Sequence, residues 1–280
     1  MKSIYFGATG RAVSMVGLGG EGVLRTFDRT KDAQSVIRAA IEQGISYFDS
    51  ARVYSDSEVY YGSIWGKDPS LRKSIFQTSK SASRSKDGAL ADLRGSLKRL
   101  RTDYLDLWQI HDVRTDEDLQ TLSRPGGALE AFVEAKKKGI VRFIGVTGHH
   151  DPYILTRAVE EFPVDSVLLP VNPIEEILGG FLTHTVPAAK KKGIAIVGMK
   201  VLGGSHYVLP KLKITPESLI QYALSRDITL PIVGCSSSDE VRVLASVGAD
   251  ASPLSDAARK LLVETFKPYA YQMAFYRGVK

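Results

Sequence analysis

Short apolar runs alternate with amphipathic segments along most of the chain. The apolar runs cover residues 15–19, 45–48, 74–79, 104–110, 140–147, 165–171, 194–199 and 228–234. The segments between them have the apolar spacing of helices. They lie near residues 31–43, 57–66, 87–100, 127–138, 152–161, 181–192, 216–226 and 238–247. Because each buried-type strand is followed by a helix, the pattern predicts a parallel sheet.

Eight such units in one chain predict a closed (β/α)8 TIM barrel, since single barrels of roughly 250 residues are common. We expect one α/β barrel domain over residues 1–280, with an N-terminal β-hairpin at 3–15 and a C-terminal tail. The tail has a helix near 255–266 and an aromatic end that either packs outside the barrel or folds over its mouth.

A doubly wound open sheet is the alternative fold. It is less favoured because the first strand turn reads GLGGEG, which departs from the dinucleotide-binding fingerprint. Asp49 does end the second strand, as the ribose-binding pattern requires, so the open sheet is not fully excluded.

Composition narrows the class of protein. The apolar fraction of 44% and the charged fraction of 24% are typical of a soluble globular chain. Cys235 is the only cysteine, which excludes an internal disulfide and a cysteine-built metal cluster and fits a reducing cytosol. No apolar run approaches the length of a bilayer span. We therefore expect a cytoplasmic protein without a membrane partner.

The net charge of +6 does not predict a nucleic-acid partner. The basic runs Lys136–Lys138 and Lys190–Lys192 each precede a glycine at a predicted helix end. Lysines there complement the helix dipole, so no nucleic-acid surface is needed to explain them. The pattern leaves the oligomeric state open.

Polar side chains stand where three consecutive strands end. Asp49 follows the second strand, Lys80 the third and His111 the fourth, and Tyr54 lies in the loop after Asp49. Each of these residues alone is explained as a cap, a loop residue or a core histidine. Because the carboxyl ends of barrel strands form one rim, we expect the four side chains to converge there.

Together these side chains suit carbonyl reduction. A phenol with an ordinary pKa near 10 is a poor proton donor at neutral pH. An ammonium beside it lowers that pKa, and a carboxylate holds the ammonium charged. A histidine can orient a carbonyl oxygen. The set predicts hydride addition to an aldehyde or ketone, with Tyr54 delivering the proton.

The sequence resembles the aldo-keto reductase family from about Val16 to Leu244. The resemblance is carried by FDSARVYSDSEVYYG, IFQTSK and RTDYLDLWQIHD, followed in family order by VRFIGVTGHH, LLPVNP, GIAIVGMKVLGG and LPIVGCSSSDEV. It implies a barrel that binds an extended nicotinamide dinucleotide. It also implies that Tyr54 is the general acid, that Lys80 and Asp49 tune it, and that His111 positions the carbonyl.

Four residues stand where relatives hold the nicotinamide. Thr147 and His149 occupy the position of a common Ser-Asn pair, and Asn172 is the nearest polar residue to a common glutamine. Met199 replaces the stacking aromatic, and its polarisable thioether can cover a ring face. The resemblance therefore implies nicotinamide contacts at these positions with altered chemistry.

The phosphate groups of the cofactor are assigned to two later segments. Lys200, followed by the glycine turn that starts at Gly203, is a candidate pyrophosphate clamp. Ser236, Ser237 and Arg242 surround the start of the last barrel helix, where an additional phosphate can bind.

The resemblance to the aldo-keto reductase family implies NADP(H) rather than NAD(H) as the cofactor. The segment GCSSSDE lacks the lysine and arginine that often bind the 2′-phosphate, and Asp239 and Glu240 would oppose a second phosphate charge. NAD(H) is therefore the alternative cofactor.

Three functions remain open at this level. The first is an NAD(P)H-dependent oxidoreductase acting on a small-molecule carbonyl or alcohol, including a sugar. The second is a regulatory or scaffold protein that keeps the barrel and its cofactor, and the third is a lyase or epimerase. A metal site at His149-His150-Asp151 is rejected because adjacent side chains in an extended loop point in opposite directions.

Overall fold

The computed structural model describes residues Met1–Val279. The chain opens with a β-hairpin of β1 (Ser3–Tyr5) and β2 (Ala12–Ser14), which confirms the predicted hairpin. A 3-10 turn, Gly7–Thr9, lies between the two strands. Phe6 is fully buried and packs against aromatic residues at the amino-terminal ends of the barrel strands, so the hairpin closes that end of the barrel.

Eight parallel strands form a closed barrel in chain order, as predicted. The strands are β3 (Gly17–Gly22), β4 (Tyr47–Phe48), β5 (Phe76–Ser81), β6 (Leu105–Ile110), β7 (Val141–Thr147), β8 (Ser166–Pro170), β9 (Ala195–Met199) and β10 (Leu230–Cys235). The barrel closes where Ile232 of β10 pairs with Gly17 of β3. That closure excludes the open-sheet alternative.

Helices surround the barrel. They are α1 (Thr30–Glu42), α2 (Ser57–Trp65), α3 (Pro69–Ser74), α4 (Lys86–Leu100), α5 (Asp116–Ser123), α6 (Ala128–Lys137), α7 (Pro152–Glu161), α8 (Pro173–Leu178), α9 (Val186–Lys191), α10 (Pro216–Leu224), α11 (Ser238–Asp250), α12 (Asp256–Phe266) and α13 (Ala270–Met273). Of the helices in residues 1–279, none is both long and apolar enough to cross a membrane.

The structure corrects the sequence prediction at the short helices. Helices α3, α5, α8 and α13 were not predicted, and the predicted strand at 74–79 begins only at Phe76 because Ser74 ends α3. The predicted helix at 181–192 is divided into a π-helical turn, Phe181–Thr185, and α9. Helices of one or two turns carry too few apolar positions to establish a period.

The apolar core has two parts. One fills the space between the strands and the helices. The other fills the inside of the barrel near its amino-terminal end, and its buried members are Phe6, Val13, Tyr47, Phe76, Leu107, Leu168, Ala195, Val197, Leu230 and Ile232. The packed base leaves the carboxyl-terminal end of the barrel as the place for a cavity.

Both tryptophans belong to the core. Trp108 stacks on Phe132 with ring centroids 3.7 Å apart. The indole N–H of Trp65 donates to Gln77 Oε1 at 2.8 Å. Neither indole lines the cavity described below, so neither forms part of a substrate pocket.

Candidate active site

A cavity of about 900 Å³ opens at the carboxyl-terminal end of the barrel. All four side chains predicted from the strand ends line it: Asp49, Tyr54, Lys80 and His111. Asp49 directly follows β4, Lys80 lies in β5, and His111 directly follows β6. Neighbouring parallel strands therefore bring together residues up to 62 positions apart in the sequence.

Asp49 and Lys80 form a buried ion pair. Lys80 Nζ donates to both carboxylate oxygens of Asp49, at 2.7 and 2.6 Å, and to the carbonyl of Ser50 at 2.8 Å. Thr78 Oγ1 donates to Asp49 Oδ1 at 2.9 Å. Burial lowers the pKa of Lys80, and the Asp49 carboxylate acts against that shift by favouring the charged ammonium. With all three ammonium hydrogens engaged, Lys80 is held in one position.

Tyr54 is half-buried in the loop between β4 and α2, and its ring is surrounded by cationic and polar groups. Lys80 Nζ and Arg25 Cζ each lie 4.8 Å from the ring centroid. The imidazole of His111 meets the ring edge-on at a centroid distance of 5.6 Å. A β-carbon at Gly20 would lie 2.6 Å from the Tyr54 ring, so glycine is needed there to leave room for it.

The protein environment keeps Tyr54 protonated. Burial raises the pKa of its phenol, the carboxylates of Asp49 and Glu21 raise it further, and Arg25 lowers it. The net shift is upward, opposite to the lowering expected from Lys80, because burial of the phenol is the largest contribution to the pKa. The phenol therefore carries its proton at neutral pH.

His111 is neutral in this environment. Burial, followed by the positive charge of Lys80, lowers its pKa well below 6.5. Its backbone is fixed on both sides, since its N–H donates to Ser81 O at 2.9 Å and its carbonyl accepts from Arg84 at 2.9 Å. A neutral imidazole in this position can donate one hydrogen bond to a carbonyl oxygen.

Thr147, His149 and Met199, predicted to contact the nicotinamide, all line the cavity. Thr147 Oγ1 accepts from the backbone N–H of Asp112 at 2.8 Å, which leaves its hydroxyl hydrogen to donate. His149 Nδ1 lies 3.0 Å from the carbonyl of Tyr276, and its Nε2 lies 3.4 Å from Asp112 Oδ1.

Asn172 does not line the cavity. Its Oδ1 accepts from the first backbone N–H groups of α8, and its Nδ2 donates to the phenol oxygen of Tyr276 at 2.8 Å and to Lys200 O at 3.2 Å. The side chain is completely buried. These contacts give Asn172 the role of a helix cap that also holds the C-terminal tail.

The predicted pyrophosphate clamp, Lys200 with Gly203, lines the cavity beyond β9. Lys200 has a φ of +56°, and Gly203 also has a φ of +56° and packs against the ring of Tyr207. The ammonium of Lys200 makes no ion pair with any carboxylate in residues 1–279. It is therefore available to an anionic group in the cavity.

Of the three residues predicted to bind an additional phosphate, only one lines the cavity. Ser236 lines the cavity, whereas Ser237 caps α11 by accepting from the N–H of Glu240 at 3.2 Å. Arg242 lies outside the cavity and pairs with Asp239. Glu240 itself lines the cavity and accepts from the N–H of Ser236 at 2.7 Å. This end of the cavity therefore has the opposing carboxylate of Glu240, as predicted, but lacks the predicted cation of Arg242.

Asp112 lines the cavity without having been predicted. The sequence points to the loops 24–29 and 113–125 and the aromatic tail as the walls of a substrate pocket. From these segments the structure places in the cavity Arg25, Arg114, Phe275 and Tyr276. The last two show that the tail folds over the mouth of the barrel. A signal existed for the arginines, because both lie in the loops that follow β3 and β6.

A buried anchor holds the tail over the cavity. Arg277 Nη2 donates to Glu175 Oε2 at 2.6 Å, and the Tyr276 hydroxyl donates to Glu175 Oε1 at 2.7 Å. Within residues 1–279, no cluster of three or more His, Cys, Asp or Glu side chains could bind a metal.

Known proteins resemble this chain in sequence. A model of the aldo/keto reductase family matches residues 16–218. The chain is 32% identical over 191 residues to a methylglyoxal reductase, DkgB, of Salmonella typhimurium, which covers 64% of this chain and 65% of that protein. It is 26% identical over 302 residues to the L-galactose dehydrogenase of Arabidopsis thaliana, covering 89% and 91%. Several curated relatives are thus matched over only 56% to 65% of their own length.

A solved structure has the same fold. The holo form of the aldo-keto reductase AKR11C1 from Bacillus halodurans superposes with a TM-score of 0.76 and covers 94% of this chain and 96% of that chain. Sequence identity in this superposition is 21%, so the likeness concerns the barrel alone.

Proposed function

Since the chain belongs to the aldo/keto reductase family, we propose that it is an NAD(P)H-dependent oxidoreductase that reduces an aldehyde or ketone, or oxidises the corresponding alcohol or sugar. The observation that carries the proposal is the convergence of Tyr54, Lys80, Asp49 and His111 on one cavity. No member of this set is missing, which favours an enzyme over a scaffold that only retains the barrel.

Tyr54 is proposed as the general acid. In the reduction, its phenol donates a proton to the carbonyl oxygen while negative charge develops there. Lys80 lies 4.8 Å from the Tyr54 ring and stabilises the phenolate that remains, and Asp49 keeps Lys80 charged and fixed. His111 donates a hydrogen bond that orients the carbonyl oxygen next to Tyr54.

The cavity fits a nicotinamide dinucleotide. When bound, that group supplies or accepts the hydride. Met199 and Leu168 offer apolar contact to a flat ring, and Thr147 retains a hydroxyl donor for a carboxamide. At the other end, Lys200 offers a pyrophosphate an ammonium that forms no ion pair within residues 1–279.

The choice between NADP(H) and NAD(H) depends on the start of α11. NADP(H) is our proposal from the family resemblance, with Ser236 and the helix amino terminus as the phosphate site. For Arg242 to bind this phosphate as well, its ion pair with Asp239 must break. The 2′-phosphate would also lie close to the carboxylate of Glu240. NAD(H) is the second candidate because that carboxylate can accept a hydrogen bond from a ribose hydroxyl.

The test of the cofactor proposal is a titration of the purified protein with NADPH and, separately, with NADH. Trp65 and Trp108 lie away from the cavity, so the nicotinamide fluorescence and calorimetry are better readouts than tryptophan quenching. We expect saturable binding of at least one dinucleotide. Binding of neither would mean that Thr147, Leu168 and Met199 no longer form a nicotinamide site.

Glu240→Gln should shift the preference toward NADPH. Removing one negative charge at the predicted phosphate site should lower the ratio of the NADPH to the NADH dissociation constant by about fivefold, the effect of roughly 1 kcal/mol. Calorimetry on both variants measures the ratio. Glu264→Gln, which changes an exposed carboxylate of α12 outside the cavity, is the matched control. An unchanged ratio in Glu240→Gln would locate the 2′ position elsewhere.

The two directions of the reaction should differ in their dependence on pH. Because the pKa of Tyr54 is raised, the phenol stays protonated, and kcat for reduction should remain nearly constant between about pH 6 and pH 9. Oxidation needs the phenolate, so its kcat should rise across the same range. Rate profiles in both directions measure this. A reduction rate that falls above about pH 7 would mean that the phenol of Tyr54 is deprotonated there.

A further inference from the structure

We propose that Arg25 makes this a reductase for anionic carbonyl compounds, by binding a carboxylate or phosphate on the substrate while Tyr54 protonates its carbonyl oxygen. The inference rests on the proposed carbonyl reduction. It extends that function to a substrate class and to a residue outside the set of Tyr54, Lys80, Asp49 and His111.

The local backbone directs Arg25 to this position. Arg25 ends the 3-10 turn Val23–Arg25, which directly follows β3. Gly22 precedes the turn with a φ of +70°, and a β-carbon there would lie 2.5 Å from the carbonyl oxygen of Cys235. The tight approach of β3 to β10 thus fixes where the turn begins. Its last residue lines the cavity, with Cζ 4.8 Å from the centroid of the Tyr54 ring.

Most of the hydrogen-bonding capacity of Arg25 is unused within the protein. A guanidinium has five N–H donors. Among residues 1–279, one side-chain hydrogen bond is formed, from Nη1 to Glu21 Oε1 at 2.6 Å. The arginine and glutamate side chains are 46% and 50% exposed, and exposed pairs of this kind contribute little to stability. The remaining donors are free to hold a planar anion in a forked geometry.

The other cavity cations are committed or distant. Arg114 gives both Nε and Nη2 to one oxygen of Asp112, at 2.8 and 2.6 Å. Lys80 is fully engaged with Asp49. Lys200 follows β9, on a strand that is not adjacent to β4 or β5. Arg25 is therefore the cation placed to bind a group attached to the reacting carbonyl.

The test compares pairs of aldehydes that share the reacting carbonyl and differ in whether they carry an anionic group. The carboxylate pair is 4-oxobutanoate and its methyl ester, and the phosphate pair is glyceraldehyde 3-phosphate and glyceraldehyde. We expect kcat/KM to favour the anion in at least one pair, which also identifies the anionic group. In Arg25→Met the preference should fall about tenfold, the contribution of a partly exposed charge-assisted hydrogen bond.

Two further variants test whether the preference for the anion depends specifically on Arg25. Glu21→Gln removes the competing carboxylate and should raise the preference for the anion by about threefold. Arg29→Met is the matched control, because Arg29 also forms an exposed pair, with Asp32, but does not line the cavity. Arg29→Met should leave the preference unchanged.

Three outcomes would overturn the inference. They are equal activity of the wild-type protein on anion and neutral partner, an equal loss on both in Arg25→Met, and a loss of dinucleotide affinity in Arg25→Met with the preference unchanged. The second would make Arg25 a residue that only tunes Tyr54.

Calorimetry with succinate and dimethyl succinate separates this inference from the proposed function. If no aldehyde is reduced but succinate binds and Arg25→Met abolishes that binding, the anion site is supported while the reductase proposal fails. If neither succinate nor glycerol 3-phosphate binds to the wild-type protein, in the presence or absence of dinucleotide, the anion site is overturned.

Discussion

Tyr54→Phe is expected to lower kcat/KM for carbonyl reduction by about 10³-fold, within the range for loss of a general acid. The substitution removes only the phenol oxygen. The ring keeps its contacts with Gly20, Arg25 and His111, so the cavity should retain its shape. Dinucleotide affinity should stay within about threefold, since no cofactor contact is assigned to the phenol. Steady-state kinetics and a parallel dinucleotide titration measure the two quantities.

Tyr61→Phe is the matched control for this prediction. Tyr61 is fully buried in α2, and its hydroxyl has no hydrogen-bond partner among the described residues, but it does not line the cavity. Its substitution should leave turnover unchanged. If Tyr54→Phe also kept full turnover, the phenol would not be the proton donor. A Tyr54→Phe protein that kept its full biological activity would favour the regulatory or scaffold hypothesis over the enzyme.

The barrel could be predicted from the sequence because its units are long enough to establish a period. The strand order and its closure are confirmed by the structure. Helices α3, α5 and α8 could not be found this way, as each has six or eight residues. Capping side chains gave a weaker signal for them, such as Asp68 before α3 and Asn172 before α8.

The strand ends were the most informative part of the sequence for the site. In a barrel the residue after each strand projects to the same rim, so a one-dimensional pattern fixes a three-dimensional neighbourhood for Asp49, Lys80 and His111. Loop residues have no such rule. Arg25 lies at the cavity because it ends the turn that follows Gly22, and Tyr276 lies there because the C-terminal tail is anchored on Glu175. These depend on backbone geometry that no periodicity encodes.

Asn172 shows the limit of assigning sites by position alone. It lies two residues after the end of β8, close to where a rim residue should lie. Its amide nevertheless turns into the protein, where it caps α8 and holds Tyr276. A polar residue at a strand end serves the cavity only when the next helix does not begin there. Thr147, which is separated from α7 by four residues, meets that condition and lines the cavity.

Lys80→Met is expected to affect both stability and turnover, because it leaves the Asp49 carboxylate buried without its cation. Breaking a buried ion pair costs roughly 3–5 kcal/mol of unfolding free energy. Turnover should fall by about 10²-fold since the phenolate of Tyr54 loses the charge that stabilises it. Dinucleotide affinity should change by less than about tenfold. Denaturant unfolding, kinetics and titration measure the three effects separately.

Two comparisons separate the effect on turnover from the effect on stability. Arg72→Met removes one cation of another buried pair, with Asp106 outside the cavity. Because Asp106 keeps Arg142 as a partner, this variant should destabilise the fold to a smaller extent, while the folded protein keeps its turnover. The double variant Asp49→Asn with Lys80→Met removes both charges and should regain most of the lost stability without regaining turnover. If Lys80→Met instead lost dinucleotide affinity at unchanged turnover, Lys80 would hold the cofactor, and the stabilisation of the Tyr54 phenolate would have to come from Arg25.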